Sequence, residues 1–335
     1  MRICIQCVLP DTFPGITFDE NGRCSFCRAY ERAEKRPIAG RRFDARCAEI
    51  FERVKGAHPY DALVAYSGGK DSTYTLKLLK ERYGLSLLAV TVDHGFVSPA
   101  TLQNIVTVAE RLDIDQYTVR PGSAALRELF RRSMTTDVYP VKALERASAI
   151  CNSCMNLVKS LLIKMAIEMR IPTIVYGWSP GQAPLRSSVF KTNAAMLKKM
   201  NETTGAWFQK LLGDRLSGFL LEDRHFAPAE GDPYPFIIHP LAFLDYDEHT
   251  ILGEIQALGW TAPGDTGAHS SNCLLNDFAI AEHLERFGFH PYAFELAGLV
   301  REGYMTREEG LARLAARPDA AQLARVRSQL EGEPE

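Results

Sequence analysis

The sequence predicts an α/β fold: a doubly wound parallel sheet with an N-terminal zinc ribbon and a helical C-terminal extension. Three observations predict it. From Asp61 onward, short apolar runs alternate with segments of helical spacing, the signature of repeated βα units. A glycine-rich turn, Ser67-Gly68-Gly69-Lys70-Asp71-Ser72, joins the apolar run Ala62 to Tyr66 to a helix-like run from Thr73 to Arg82. Two Cys-x-x-Cys pairs lie ahead of all this, within the first 27 residues.

The pairs Cys4/Cys7 and Cys24/Cys27 are separated by sixteen residues, 8 to 23. That spacing matches a C-x₂-C-x₁₅₋₂₀-C-x₂-C zinc pattern. Four thiolates close a tetrahedral site, which is structural rather than catalytic. Pro10, Pro14, Gly15 and Asn21-Gly22 supply the turns of a small ribbon over residues 1–30. Iron is an alternative occupant, and redox pairs or plain buried thiols are an alternative reading.

Residues 31–58 are charged and helix-prone and read as a helical linker. The α/β domain spans 59–260. Leu85 to Asp93 is a continuous apolar run, as in a strand buried on both faces. Thr101 to Leu112 reads as helix, Gln116 to Arg120 as strand and Ala124 to Ser133 as helix. Leu157 to Met169 reads as helix, and Pro172 to Tyr176 as a strand ending at Gly177. Residues 183–230 break the repeat, and Asn193 to Gly213 within them is helical, an insertion placed to act as a lid or acceptor surface. His239 to Leu244 then reads as a strand and Glu248 to Leu258 as a helix. Residues 261–335 form a loop carrying Cys273, then a helical, charged region from Phe278.

The turn at 67–72 has the makings of an anion cradle. Two glycines let the backbone approach a phosphate, the helix N-terminus offers free N–H groups, and Lys70, Ser67 and Ser72 add charge and hydroxyls. The order is not the G-x-x-x-x-G-K-S/T of a Walker A loop, and no G-x-G-x-x-G is present. In doubly wound sheets ligands sit at the carboxyl ends of the strands, so the loops Ser67–Ser72, Asp93–Phe96 and Gly177–Gln182 are expected to meet. Asp93 is positioned to hold Mg²⁺, to touch adenosine, or merely to cap a strand; His94 reads as structural. Asp71 either orients a hydroxyl, a water or the metal, or stabilises the helix N-terminus. Gly177 is expected where a nucleotide needs close backbone approach.

Cys151-x-x-Cys154 and the distant Cys273 make a second set, one short of four. An incomplete set suits an iron–sulfur cluster with one open iron; a thiol pair plus an unrelated buried cysteine is the alternative. Cys154 opens a helix-like run through Met169, which places the pair at a helix N-terminus, where thiolates are favoured. Cys47 falls in a helical pattern and reads as core.

The S-G-G-x-D-S run resembles that of the PP-loop ATP pyrophosphatases, of the adenine nucleotide alpha hydrolase-like superfamily. The resemblance implies ATP and Mg²⁺ bound over Ser67, Gly68, Gly69, Lys70, Asp71 and Ser72, with Asp93 and Gly177 at the nucleotide. It implies attack of an acceptor carbonyl oxygen on the α-phosphate, with Lys70, Asp71 and Ser72 as the catalytic residues. Cys151, Cys154 and Cys273 resemble the ligands of a 4Fe–4S cluster in the thiolation branch, which includes tRNA 2-thiolation enzymes. The segments 4–19 and 303–310 instead resemble N-acetyl sugar amidotransferases of surface-polysaccharide biosynthesis, which draw ammonia from a glutaminase. That family lacks a Cys-x-x-Cys at the Cys151 position. Sulfur transfer is therefore the first expectation, amidation the second, and a nucleotide-binding redox regulator the third.

Composition narrows the partners. The 335 residues are 46% hydrophobic and 24% charged, with net charge -2 and a pI near 6.5. No overall basic field is present; Lys191, Lys198 and Lys199, and Arg36, Arg41 and Arg42, read as solvated surface or as a local basic face. A small-molecule or sugar-nucleotide acceptor is expected ahead of tRNA, with a sulfur-donor or glutaminase partner protein; a homodimer is left open. No apolar run reaches the ~18 residues of a membrane span, and no signal-peptide core is visible. The expectation is a cytoplasmic protein with no membrane partner, whose cysteines serve metals rather than disulfides.

Overall fold

The computed structural model describes residues 2–31, 36–182, 184–227, 233–267 and 269–332. Antiparallel bridges from Ile3 to Pro10 and Phe18 to Cys24 fold the first residues into a knuckle ending in α1 (Ser25–Glu31). Helix α2 (Arg36–Val54) follows. It covers most of the expected linker, of which residues 32–35 lie outside the described residues.

The sheet contains β1 (Ala62–Ala65), β2 (Leu87–Val92), β3 (Asp115–Val119), β4 (Thr173–Tyr176), β5 (Val189–Lys191) and β6 (Phe236–Ile238). Its spatial order is β3-β2-β1-β4-β6-β5. Pairing is parallel from β3 through β6, but β5 runs antiparallel to β6. The expected parallel sheet thus carries one antiparallel edge strand, as large doubly wound sheets often do.

Helices α3 (Lys70–Glu81), α4 (Pro99–Leu112), α5 (Ser123–Thr135), α6 (Val141–Leu144) and α7 (Ala149–Glu168) connect β1 to β4. Between β5 and β6 lie α8 (Ala194–Met200), a π turn over Asn201–Gly205, α9 (Ala206–Leu212) and α10 (Asp223–Phe226). Residues 228–232 of this insertion fall outside the described residues. Then come α11 (Glu248–Gln256), α12 (Asn276–Phe287), α13 (Ala293–Glu302), α14 (Arg307–Ala315) and α15 (Ala320–Glu331).

Strand side chains alternate between two cores, as a period of two requires. Ala62, Val64, Leu87, Ala89, Val175 and Ile238 join one with Trp260. Leu63, Leu88, Val90, Ile174, Tyr176 and Ile237 join the other with α7. The α7 helix is long and apolar enough to span a membrane, yet half of that stretch is buried inside the protein. It acts here as a core helix against β1 and β4.

The strand expected over His239 to Leu244 lies earlier, at Phe236–Ile238, and Pro240–Ala242 forms a 3₁₀ turn instead. Pro240 has no N–H to give a ladder, so the strand ends before it.

The chain builds outward from β1 to β3, then returns to β1's other side as β4. The switch point thus lies between β1 and β4, where a crevice opens at the strand ends. Gly177 closes its floor: a Cβ there would stand 2.7 Å from Ser72 Cα and 2.8 Å from the Asp71 carbonyl. Close approach is required, as expected, but by the first turn of α3. Gly177→Ala is expected to cost about 1–3 kcal/mol by overpacking against rigid backbone. Urea unfolding followed by circular dichroism measures it; an unchanged midpoint would contradict this packing.

Candidate active site

Gly69 caps α3 without a side chain, so first-turn N–H groups are left for a ligand in the crevice. Ser72 Oγ donates to the Gly69 carbonyl at 3.0 Å and lies 3.1 Å from Ser67 Oγ. Gly68 sits beneath this turn at φ +75°, and buried Trp260 donates Nε1–H to its carbonyl at 2.9 Å. The positive φ, and Ile105 and Thr101 within 2.6 Å of any Cβ, make this position glycine's.

Lys70 is held over the turn by a polar set the sequence did not reveal. Its Nζ donates to Asp71 Oδ1 at 2.8 Å and to Tyr246 Oη at 2.5 Å. Tyr246 in turn donates its hydroxyl hydrogen bond to Asp71 Oδ1 at 2.9 Å. Glu248 lies 3.5 Å from Lys70 Nζ and pairs at 2.8 Å with Arg313 of α14. Asp71 and Glu248 are hard oxygen donors of the kind Mg²⁺ takes.

The loop carrying Cys273 is docked onto this same turn. The Lys70 N–H donates to Ser271 Oγ at 3.1 Å, and Thr101 Oγ1 donates to the Ser271 carbonyl at 3.3 Å. Ser98 N–H reaches the Asn272 carbonyl at 3.0 Å and Leu274 N–H reaches that of Phe96 at 2.9 Å, so Val97 and Cys273 form an antiparallel bridge. Opposite, α7 begins at Ala149, not at Cys154: Ser148 Oγ accepts the Cys151 N–H at 3.1 Å. Cys151 and Cys154 therefore occupy its first two turns.

One cavity of about 1040 Å³ joins these features. Its wall includes Ser67, Gly69, Lys70, Asp71, Ser72 and Gly177 and also Cys151, Cys154 and Cys273. These three sulfurs do not close to the mutual 4.8 Å of the amino-terminal four. Burial pushes all three thiols up, Cys273 to about 12, and cysteine charge nearby adds to it at Cys154 and Cys273. The expected thiolate preference of the helix N-terminus is outweighed, and a bound cation would restore it. Burial also pushes His94 down to about 4, so it is neutral. Its Nδ1 accepts the Phe96 N–H at 3.3 Å, leaving Nε2–H toward Cys273 Sγ at 3.8 Å.

Asp93 does not line this cavity. Arg120 pairs with one carboxylate oxygen and the Gly95 N–H donates to the other at 2.9 Å. It faces a separate cavity of about 220 Å³ with Arg120 and Ser123. Its carboxylate thus faces Arg120 and the Gly95 N–H rather than the Ser67–Ser72 turn.

Glu295 of α13, also missed, does line the main cavity. It accepts the Ser179 hydroxyl at 3.0 Å, and burial, with the Asp71 charge behind it, pushes its carboxyl up to about 7. No motif surrounds it in sequence. Tyr246 and Glu248, by contrast, follow closely on the His239–Leu244 segment, and Glu248 opens the helix expected there.

The amino-terminal quartet is a separate centre. Cys4, Cys7, Cys24 and Cys27 are buried with all four sulfurs within 4.8 Å of one another. Cys24 is held well below its usual range by hydrogen bonds from Cys27 and Cys7. The Cys24 N–H points at Cys4 Sγ at 3.3 Å, and Arg307 of α14 donates to the Cys4 and Cys7 carbonyls at 3.1 Å. Such a donor set fits one tetrahedral ion.

No family model matches the chain. Among curated proteins, an uncharacterized protein of Methanocaldococcus jannaschii is 21% identical over 260 residues, 78% of this chain and 74% of that protein. Among solved structures, the chain is similar to a U34-tRNA thiolase of Methanococcus maripaludis with its 4Fe–4S cluster: TM-score 0.37, 18% identity, covering 100% and 99% of the two chains. It is also similar to an NMN synthetase of Francisella tularensis, at TM-score 0.35 and 13% identity over 88% and 93%. A predicted subunit of tRNA methyltransferase from M. jannaschii scores 0.32 at 15% identity over 70% and 91%. All are distant likenesses.

Two outcomes test this geometry. Cys4→Ser is expected to abolish binding of one metal ion per chain and to lower the melting temperature, measured by elemental analysis and calorimetry; full retention of metal would refute the quartet. Glu295→Gln addresses the raised carboxyl. Between pH 4.5 and 7 the folded carboxyl keeps its proton while the unfolded one gives it up. Its stabilising contribution is complete below that window and lost as pH rises through 7. Wild type should therefore lose up to about 3 kcal/mol relative to Glu295→Gln from pH 4 to 8. Parallel pH profiles in urea unfolding would contradict it.

Proposed function

We propose that this chain is an ATP-dependent enzyme of the PP-loop pyrophosphatase type. It adenylates an acceptor carbonyl oxygen, releases pyrophosphate, and replaces that oxygen with sulfur. The observation that carries the reading is the sharing of one cavity wall by the Ser67–Ser72 turn and the three cysteines.

The turn and the α3 N-terminus cradle the phosphates of ATP. Asp71 and Glu248 hold Mg²⁺, and Lys70, positioned by Tyr246, meets the charge growing on the leaving pyrophosphate. The acceptor oxygen forms its bond to the α-phosphorus as the bond to the bridging oxygen breaks. The activated carbon then takes a sulfur nucleophile, and AMP leaves with the former carbonyl oxygen. Glu295, exchanging its proton near neutrality, is placed to take up the proton that the nucleophile sheds. A 4Fe–4S cluster on Cys151, Cys154 and Cys273, when bound, supplies an open iron for the sulfur to be transferred. Zinc suits the amino-terminal quartet.

A second reading, amidation with ammonia from a glutaminase, rests on the two segments that resemble amidotransferases. Arg307, within 303–310, clasps Cys4 and Cys7, within 4–19.

Anaerobic reconstitution followed by iron, labile-sulfide and visible absorption measurements decides between the two. Cys151→Ala and Cys273→Ala should each lose the cluster while the zinc stays. Zinc alone, with neither substitution changing anything, would sink sulfur transfer and leave amidation to be assayed. Lys70→Ala should slow acceptor-dependent pyrophosphate release about 100-fold or more. ATP binding without turnover under every acceptor would favour a regulator instead.

A further inference from the structure

Four lysines and arginines line the main cavity: Lys70, Arg146, Lys159 and Arg313. Two are neutralised, Lys70 by Asp71 and Glu248 and Arg313 by Glu248. Lys159 and Arg146 make no ion pair among the described residues. The Lys159 ammonium lies 4.6 Å over the Trp178 ring, a ring also stacked on His239 with centroids 4.6 Å apart. Arg146, exposed at the rim, lies 4.7 Å over Phe294.

A desolvated ammonium without a counter-ion is costly, and an aromatic face returns part of that cost. The burden is visible: burial pushes Lys159 down to about 8, and burial with the Lys159 charge pushes His239 down to about 3. A ligand anion is the missing partner. Both cations flank the cysteines. Arg146 precedes α7, and Lys159 lies eight residues beyond Cys151 on it, about 12 Å along the axis.

We propose that Lys159 forms an anion subsite for the acceptor, a small molecule carrying a phosphate or carboxylate beside its reactive carbonyl. The acceptor's role rests on the adenylation reading above; the subsite itself does not. A polynucleotide fits less well. Its backbone is held by many cations on many phosphates, whereas among the described residues one buried unpaired cation lines this cavity, over the Trp178 ring.

Pyridoxal 5′-phosphate is the probe, since its aldehyde condenses with a neutral amine while its phosphate seeks an anion site. The full chain would be labelled at pH 8, reduced with borohydride and mapped by peptide mass spectrometry. Lys159 is expected to label about 10-fold faster than exposed lysines. Inorganic phosphate should slow it, and magnesium α,β-methylene-ATP should not. Labelling no faster than at exposed lysines overturns the subsite. Protection by the nucleotide analogue overturns it too, because Lys159 would then belong to the triphosphate. Protection by bulk tRNA at lower phosphate concentration than inorganic phosphate overturns the small-acceptor assignment. No turnover is needed, so failed pyrophosphate release leaves this result standing, and failed labelling leaves adenylation standing.

Discussion

One hydrogen bond ties two distant parts of this chain together. The main-chain N–H of Lys70, at the mouth of α3, donates to Ser271 Oγ at 3.1 Å, across two hundred residues of sequence. It docks the loop 270–273 on the glycine-rich turn Ser67–Ser72, and the Val97–Cys273 bridge holds that loop in register. Cys273 thereby comes to the same cavity as Cys151 and Cys154. Without that docking the glycine-rich turn and the Cys-x-x-Cys pair would have no third sulfur beside them.

The carboxyl-terminal helices extend the same logic. α13 lies between the amino-terminal knuckle and the cavity: Leu296 and Leu299 pack in the knuckle's core, and Glu295 lines the cavity. α14 reaches both centres. Arg307 grips the Cys4 and Cys7 carbonyls, and Arg313 pairs with Glu248, which faces Lys70. A buried ion pair is rigid only when its members are held from several sides. The metal quartet, through α14, is one of those supports.

Burial rather than local sequence sets the electrostatics of the cavity. Cys151 sits at a helix N-terminus, yet desolvation raises its thiol. Glu295 occupies the first turn of α13, where the helix dipole favours charge, yet its carboxyl is raised as well. In both cases loss of water outweighs a terminal dipole worth at most about 2 kcal/mol. Burial therefore disfavours an unpaired charge of either sign in this cavity, raising Cys151 and Glu295 and lowering Lys159.

What the sequence determined by itself was everything carried by contiguous residues. The Ser67–Ser72 turn, the four-cysteine knuckle and the strands β1, β2 and β4 were legible, because glycine, thiol spacing and doubly buried apolar runs act over a few residues; β3, a largely exposed edge strand, was legible only from the βα alternation. Tertiary structure decided the rest. The three-residue strand β5 exists by pairing with β6, not by its own pattern. Asp93 faces a separate cavity beside Arg120, 27 residues away in sequence. Tyr246, Glu248, Ser271, Glu295 and Arg313 carry no motif and are functional candidates only through what they touch. Hydrogen bonds between distant segments depend on how the layers pack, and one strand–turn–helix unit read alone does not encode that.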